Sequence, residues 1–238
     1  MTATRHEIQR RRVTRREALF LIGGAMLASQ VHGQDGMARP AGCILTPQQT
    51  EGPYFVDERL RRADIRTHPS DGSVTAGIPL RLSLRILSAD AACAPVAGAI
   101  VDLWHCDADG RYSDTTDSGF DTSGRKFLRG YQVSADDGKV QFLTIYPGWY
   151  RGRTVHIHFK VRARTASGRE HEFTSQLYFD DAVTDTAHAH APYAGRRVRR
   201  TRNEEDGIFR RGGAQLLLTP VASANGYAAS FDVGIAAA

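Results

Sequence analysis

Leu80-Arg-Leu-Ser-Leu-Arg-Ile-Leu87 alternates apolar and polar side chains, the pattern of a strand with one face on a core and the other turned away from it. Related stretches recur at residues 99–105, 139–145, 154–161, 172–179, 214–219 and 228–235. Turn chemistry separates them, as in Pro95-Val-Ala-Gly98, Asp107-Ala-Asp-Gly110 and Pro147-Gly148. Short strands punctuated in this way predict an all-β fold, a β-sandwich with long irregular loops and few short helices. One short helix is expected at residues 182–187. The Pro- and Gly-punctuated stretch 45–55 cannot be a continuous helix.

Ahead of the strands the pattern changes. Arg10-Arg-Arg-Val-Thr-Arg-Arg16 precedes the apolar run Ala18-Leu-Phe-Leu-Ile-Gly-Gly-Ala-Met-Leu-Ala28, which is too short to span a bilayer. Thr14-Arg-Arg-Glu-Ala-Leu-Phe20 resembles a twin-arginine export signal, which a receptor reads. The expected organisation is a leader over residues 1–36, cut between residues 28 and 40, followed by one β-sandwich domain over 37–238. The twin-arginine (Tat) export machinery would be its partner, the destination periplasmic or extracellular, with no stable membrane anchor after processing.

The leader also accounts for the charge. Residues 1–17 hold six Arg and two Glu, a net of +4, so the formal +5 of the chain leaves +1 for residues 18–238. The basic balance is therefore no argument for a nucleic-acid partner. Arg196-Arg-Val-Arg-Arg-Thr-Arg202 is followed at once by Glu204-Glu-Asp206 and has no interleaved aromatics, so it reads as a solvated, salt-bridged loop. Of the three cysteines, Cys43 and Cys93 sit in loop-like contexts and are the preferred disulfide pair in an exported protein. Cys106 is left as a small buried residue.

Candidate chemistry centres on Pro147-Gly-Trp-Tyr-Arg-Gly-Arg-Thr-Val-His-Ile-His-Phe-Lys-Val161. Strand alternation places His156 and His158 on one face and Ile157, Phe159 and Val161 on the other. Two imidazoles on a rigid strand form half of a metal site. Tyr150, beyond the Pro-Gly turn, and Tyr112, in Asp109-Gly-Arg-Tyr-Ser113, are the further candidates. Phenolate is a hard anionic donor that suits a ferric ion better than zinc or cuprous copper. Tyr146 is a competing ligand and Arg151 competes with Arg153 as the site's cation. The second His-x-His, His188 and His190, reads as a loop beside a proline, and His105 as a core or supporting histidine.

Taken together, Thr46-Pro-Gln-Gln-Thr-Glu-Gly-Pro-Tyr54, Asp102-Leu-Trp-His-Cys-Asp-Ala-Asp-Gly-Arg-Tyr-Ser113, Phe127-Leu-Arg-Gly-Tyr131, Thr144-Ile-Tyr-Pro-Gly-Trp-Tyr150, His156-Ile-His-Phe159 and Ser175-Gln-Leu-Tyr-Phe179 resemble the intradiol ring-cleavage dioxygenases, the family of catechol 1,2-dioxygenase and protocatechuate 3,4-dioxygenase. The likeness is nearest to the small exported members and runs from about residue 43 to 209. It implies a catalytic domain with a non-haem Fe(III) held by Tyr112, Tyr150, His156 and His158, with water or hydroxide as fifth ligand. Arg153 would stabilise an anionic intermediate, Gln176 would lie by the substrate, and Tyr150 would leave the metal and act as base. Glu51, Tyr54 and Trp149 would wall the pocket. The substrates implied are a small aromatic diol and O2, and the product is a cis,cis-muconate-type diacid. The segment between Tyr150 and His156 is shorter than in the larger enzymes of the family. Two other readings stay open: a non-catalytic, transthyretin-like binding module, and a zinc or copper enzyme using the histidines with a carboxylate such as Asp102.

Overall fold

A computed structural model of the chain describes residues 43–165, 168–198 and 200–236. The leader expected over 1–36, with its cleavage site, lies outside the described residues. In chain order the strands are β1 (Pro79–Ser88), β2 (Ala94–Pro95), β3 (Ile100–Trp104), β4 (Thr116–Asp117), β5 (Phe120–Asp121), β6 (Arg129–Val133), β7 (Lys139–Ile145), β8 (His156–Arg164), β9 (Glu170–Phe179), β10 (Leu217–Leu218), β11 (Val221–Ser223) and β12 (Gly226–Ile235), with a helix, α1 (Asp181–His188), after β9. They form two five-stranded sheets and a small hairpin, β4–β5. In the first sheet β1 pairs in parallel with β12 and antiparallel with β2 and β7, and β11 flanks β12. The second runs in the order β10-β9-β8-β3-β6.

Alternation decides what lies between the sheets. Leu80, Leu82, Leu84 and Ile86 of β1 meet Val101 and Leu103 of β3 and Ile157, Phe159 and Val161 of β8 in one cluster, none of them more than 1% exposed. Burying each such side chain is worth about 1.5–3 kcal/mol. The same alternation turns His156, His158 and Lys160 of β8, with Asp102 and Trp104 of β3, to the outer face of the second sheet. These are buried too, because the chain between residues 45 and 60 is laid across that face. Gln49 donates its backbone N–H to Thr174 O (3.0 Å), and Tyr131 donates to Leu60 O (2.8 Å). That buried outer layer is where the polar chemistry collects.

Three details depart from the sequence pattern. The stretch 214–219 is mostly a 3-10 helix, Gly213–Leu216, and only Leu217–Leu218 pairs with β9. Its leucines satisfy a local cluster with Tyr178 and Phe209, which an apolar run alone does not distinguish from a strand. β6, Arg-Gly-Tyr-Gln-Val, lacks alternation and was not expected as a strand. His188, expected in a loop, is the last residue of α1, a helix capped by the Asp180 carboxylate accepting from Ala182 N (2.8 Å) and Val183 N (3.3 Å). Among the described residues no helix is long and apolar enough to cross a membrane.

Cys43 and Cys93 are joined, with Cα atoms 5.5 Å apart and 50 residues between them in sequence, and Cys106 is free and buried. A loop of that length corresponds to about 4 kcal/mol in the chain-entropy account of disulfides. Denaturant titrations with and without reductant are expected to differ by about 2–4 kcal/mol, with the reduced protein the weaker; equal midpoints would remove the disulfide from the account of stability.

Candidate metal centre

β8 sets the first two donors. Alternate positions carry His156 and His158 to the same side, with their Nε2 atoms 3.0 Å apart, in side chains 2% and 1% exposed. His156 Nδ1–H donates to Thr154 O (2.6 Å), so its Nε2 presents a lone pair. Tyr112 Oη lies 3.2 Å and Tyr150 Oη 3.3 Å from that same nitrogen. One lone pair accepts one good hydrogen bond, yet three heteroatoms converge on it. His158 Nδ1 is buried without a partner among the described residues, and the His158 ring is held by stacking on Trp104, 5.0 Å between centroids at 9°.

Hydrogen bonding alone does not account for this convergence, and a shared cation would. Donors bonded at about 2.1 Å to one ion stand roughly 3 Å from their neighbours. Electrostatics agree. Burial, then the nearby Arg153 or the second imidazole, holds both histidines well below the usual imidazole range, so they are neutral and free to act as ligands. Burial raises the Tyr112 phenol well above its ordinary value and pushes Tyr150 up to about 12 despite Arg153 beside it. Phenolates form here only against positive charge.

Two interlocked turns bring the tyrosines to the histidines. Residues 107–112 follow β3 and residues 147–150 follow β7, and their backbones touch. A Cβ on Gly148 would collide with the carbonyls of Asp107 and Ala108, and one on Gly110, at φ +83°, with that of Trp149. Arg196 ties both turns, donating to Trp149 O (2.6 Å) and Asp109 O (2.8 Å) while its guanidinium lies 4.0 Å over the Trp149 ring. Arg129, 2% exposed, donates to Ser113 Oγ (2.7 Å), next to Tyr112, and to Tyr54 O (3.3 Å).

Arg153 also reaches the centre. Its Nη1 is 3.5 Å from His156 Nε2, its Nη2 donates to Gln176 Oε1 (2.5 Å) and its Nε to Asp206 Oδ2 (2.9 Å). Gln176 in turn donates to Thr50 O (2.8 Å). Tyr54 stacks on Tyr112 at 4.4 Å and bonds Asp117 through its hydroxyl. Four candidate donors, a cation and an aromatic wall thus share one buried place.

A family model described as dioxygenase matches residues 50–207. The chain belongs to the intradiol ring-cleavage dioxygenase family. It is similar to a 6-chlorohydroxyquinol 1,2-dioxygenase of Cupriavidus pinatubonensis, 29% identical over 63% of this chain and 56% of that one. A catechol 1,2-dioxygenase of Acinetobacter lwoffii is 28% identical over 57% of this chain and 49% of its own. The chain thus spans about half the length of these curated relatives. Among solved structures, an intradiol ring-cleavage dioxygenase from Tetranychus urticae superposes with a TM-score of 0.71 at 32% identity, covering 81% of this chain and 95% of the other. The dioxygenase domain of a carbohydrate-binding fusion from Streptomyces sp. SirexAA-E gives 0.60 at 31% identity, over 82% of this chain and 100% of that domain.

In this intradiol-family chain the remaining candidates sort by position. Trp149, expected to wall the pocket, faces the other way: its ring stacks on His188 at 4.7 Å and its Nε1 donates to Val198 O (2.9 Å). Glu51 is paired with Lys160, whose ammonium sits 4.0 Å over Phe55. Tyr146 bonds Thr184 Oγ1 (2.8 Å), Arg151 is exposed, and His188 Nε2–H donates to Pro147 O (2.9 Å). His105 is buried with Nε2 2.6 Å from Thr144 Oγ1, and Asp102 accepts from Arg162 (2.7 Å). Sequence reasoning missed Asp206, Arg196 and Arg129. In the sequence Asp206 reads only as part of the acidic triplet Glu204-Glu-Asp206 that offsets the nearby arginines.

The buried histidines set a pH dependence. Burial lowers His105 and His188 to about 4 and holds His156 and His158 well below 6.5. A histidine depressed in the folded state is protonated first in the unfolded chain, so stability is full above pH 6.5 and falls below it. Between pH 6.5 and 5, metal-free protein is expected to lose stability with a slope that steepens toward, and does not exceed, about 1.4 kcal/mol per pH unit for each histidine that stays neutral in the folded state. Urea midpoints across that range check this, and His105→Gln should shallow the slope by about one proton.

Proposed function

We propose that this protein cleaves the ring of a catechol-type diol with O2 in the intradiol manner, at a non-haem Fe(III) held by Tyr112, Tyr150, His156 and His158, giving a cis,cis-muconate-type diacid. The observation that carries the proposal is the convergence of two phenol oxygens and two imidazole nitrogens beside Arg153. Two phenolates and two neutral imidazoles suit a hard trivalent ion. When bound, ferric iron supplies a Lewis-acid template for both diol oxygens and makes the ring reactive toward O2. Names of similar proteins, chlorohydroxyquinol and catechol 1,2-dioxygenases, support the substrate class. The zinc or copper reading loses its carboxylate, because Asp102 is engaged by Arg162.

The chain's own groups then take defined parts. Tyr112, His156 and His158 are at most 2% exposed, whereas Tyr150 is only half-buried. Tyr150 is therefore the donor that an entering diol meets, and its oxygen takes a diol proton. Arg153 holds fixed positive charge next to the reacting ring, a preorganised stabilisation of the anion that develops there. Gln176 keeps that guanidinium in place and borders the substrate. Tyr54, stacked on Tyr112, forms one flat wall for an aromatic ring and helps to exclude water. Expected from the leader, export by a twin-arginine route of a single catalytic domain over 37–238 would present this chemistry to diols outside the cytoplasm.

An iron assay and a visible spectrum of the purified protein test the proposal. A broad tyrosinate-to-iron band is expected, weakened in Tyr150→Phe and lost together with the iron in His156→Ala/His158→Ala. Catechols should be consumed with O2 one to one. Zinc in place of iron, or no metal and no ring opening, would overturn the assignment.

A further inference from the structure

Asp206 is a buried carboxylate that the proposed mechanism does not use. Asp206 is 1% exposed and lies 53 residues beyond Arg153 in sequence, on the turn that follows the 3-10 helix Asn203–Glu205. Both its oxygens are fully engaged. Oδ1 accepts from Ile208 N (2.7 Å) and Phe209 N (3.3 Å), while Oδ2 accepts from Thr154 N (2.9 Å) and Arg153 Nε (2.9 Å). Three backbone amides thus fix the carboxylate, and the fixed carboxylate holds the arginine.

A guanidinium is planar, with its five N–H bonds in a rigid fork. Two of its edges are taken, Nε by Asp206 and Nη2 by Gln176 at 2.5 Å. The nitrogen that remains, Nη1, is the one that faces His156 Nε2 at 3.5 Å. Asp206 Oδ2 also grips the next peptide N–H, at Thr154, so backbone and side chain are held from the same atom. Without that grip the guanidinium could pivot about Gln176 and leave the donor centre. An ordinary surface ion pair would do little here, but this one is largely shielded from water, with side chains 15% and 1% exposed.

We propose that Asp206 is a positioning residue for the ring-cleavage step: it sets the orientation of Arg153 toward the reacting ring and touches none of the four metal donors. The inference rests on the functional reading given above. Asparagine in its place cannot reproduce the grip, because its NH2 would have to face one of the two pairs of N–H donors.

The test is a double-mutant cycle of Asp206→Asn with Arg153→Met, on iron-loaded protein. Asp206→Asn is expected to lower kcat about 10- to 100-fold, with iron per chain and the resting tyrosinate band unchanged. Anaerobic titration with catechol should still give a spectral shift, so the loss sits in kcat and not in loading. In the Arg153→Met background the second change should alter kcat by less than about two-fold, since a residue acting only through Arg153 has nothing left to act on. Wild-type kcat in Asp206→Asn, or the same further loss in both backgrounds, would overturn the inference. So would loss of iron or of the fold along with kcat, because the carboxylate would then serve the 203–209 turn as a whole. A wild-type protein with no iron and no ring opening would sink the functional reading itself, before any variant is compared.

Discussion

Two imidazole nitrogens held 3.0 Å apart in a dry place are the constraint that the rest of this structure accommodates. A strand delivers them there without choice, since alternate residues share a face. Burial keeps both rings neutral, and a buried polar atom left unpaired costs about 1–3 kcal/mol. Aromatic stacking supports His158 where hydrogen bonding does not, and a carbonyl fixes the tautomer of His156. A cation at the centre would relieve all of these demands at once, which explains how so costly an arrangement sits in an otherwise ordinary sandwich.

The sheet supplies rigidity but only two donors. The other two come from turns whose backbones pass so closely that side chains at Gly110 and Gly148 are excluded. This contact works as a distance gauge: it fixes how near Tyr112 and Tyr150 come to the histidines, independently of what the tyrosine side chains do. Anything that separated the turns by an ångström would spread the donors beyond the reach of one ion. Arg196 and Arg129 matter for the same reason, since both bond carbonyls or hydroxyls at the roots of the tyrosine segments and neither touches a donor atom.

Legibility in the sequence followed the range of the interactions. The inward positions of β1, β7 and β8 follow from period-two alternation and could be read directly, as could the shared face of His156 and His158. β6 could not, because it begins with a buried arginine whose partners, at Tyr54 and Ser113, are distant in sequence. Nor could the side to which Trp149 turns: a Pro-Gly turn shows where the chain bends and not which neighbour fills the space behind it. The short helix at 181–188 was visible in outline, but His188 was assigned to a loop because the proline at 192 drew the boundary too early. Asp206 belongs to the least legible class, in which a local acidic cluster near arginines suggests a local pairing while the actual partner lies 53 residues away.

The arginine-rich segment takes on a different meaning in this light. The guanidinium groups of Arg200 and Arg202 pair with Asp181 and Asp185 of α1, while the Arg202 backbone N–H donates to Glu205 Oε2 (2.8 Å). Arg196 binds the two tyrosine turns, and Asp206 binds Arg153. Arg196, Arg200, Arg202 and Asp206 therefore fasten their part of the chain to α1 and to both approaches to the donors. The side chains of Arg196, Arg200 and Arg202 are engaged by carboxylates and carbonyls of the same molecule. A segment with the composition of a nucleic-acid patch thereby helps to hold Arg153 and the two tyrosine turns in place, and composition alone could not have separated the two roles, because the difference lies in where the partners are.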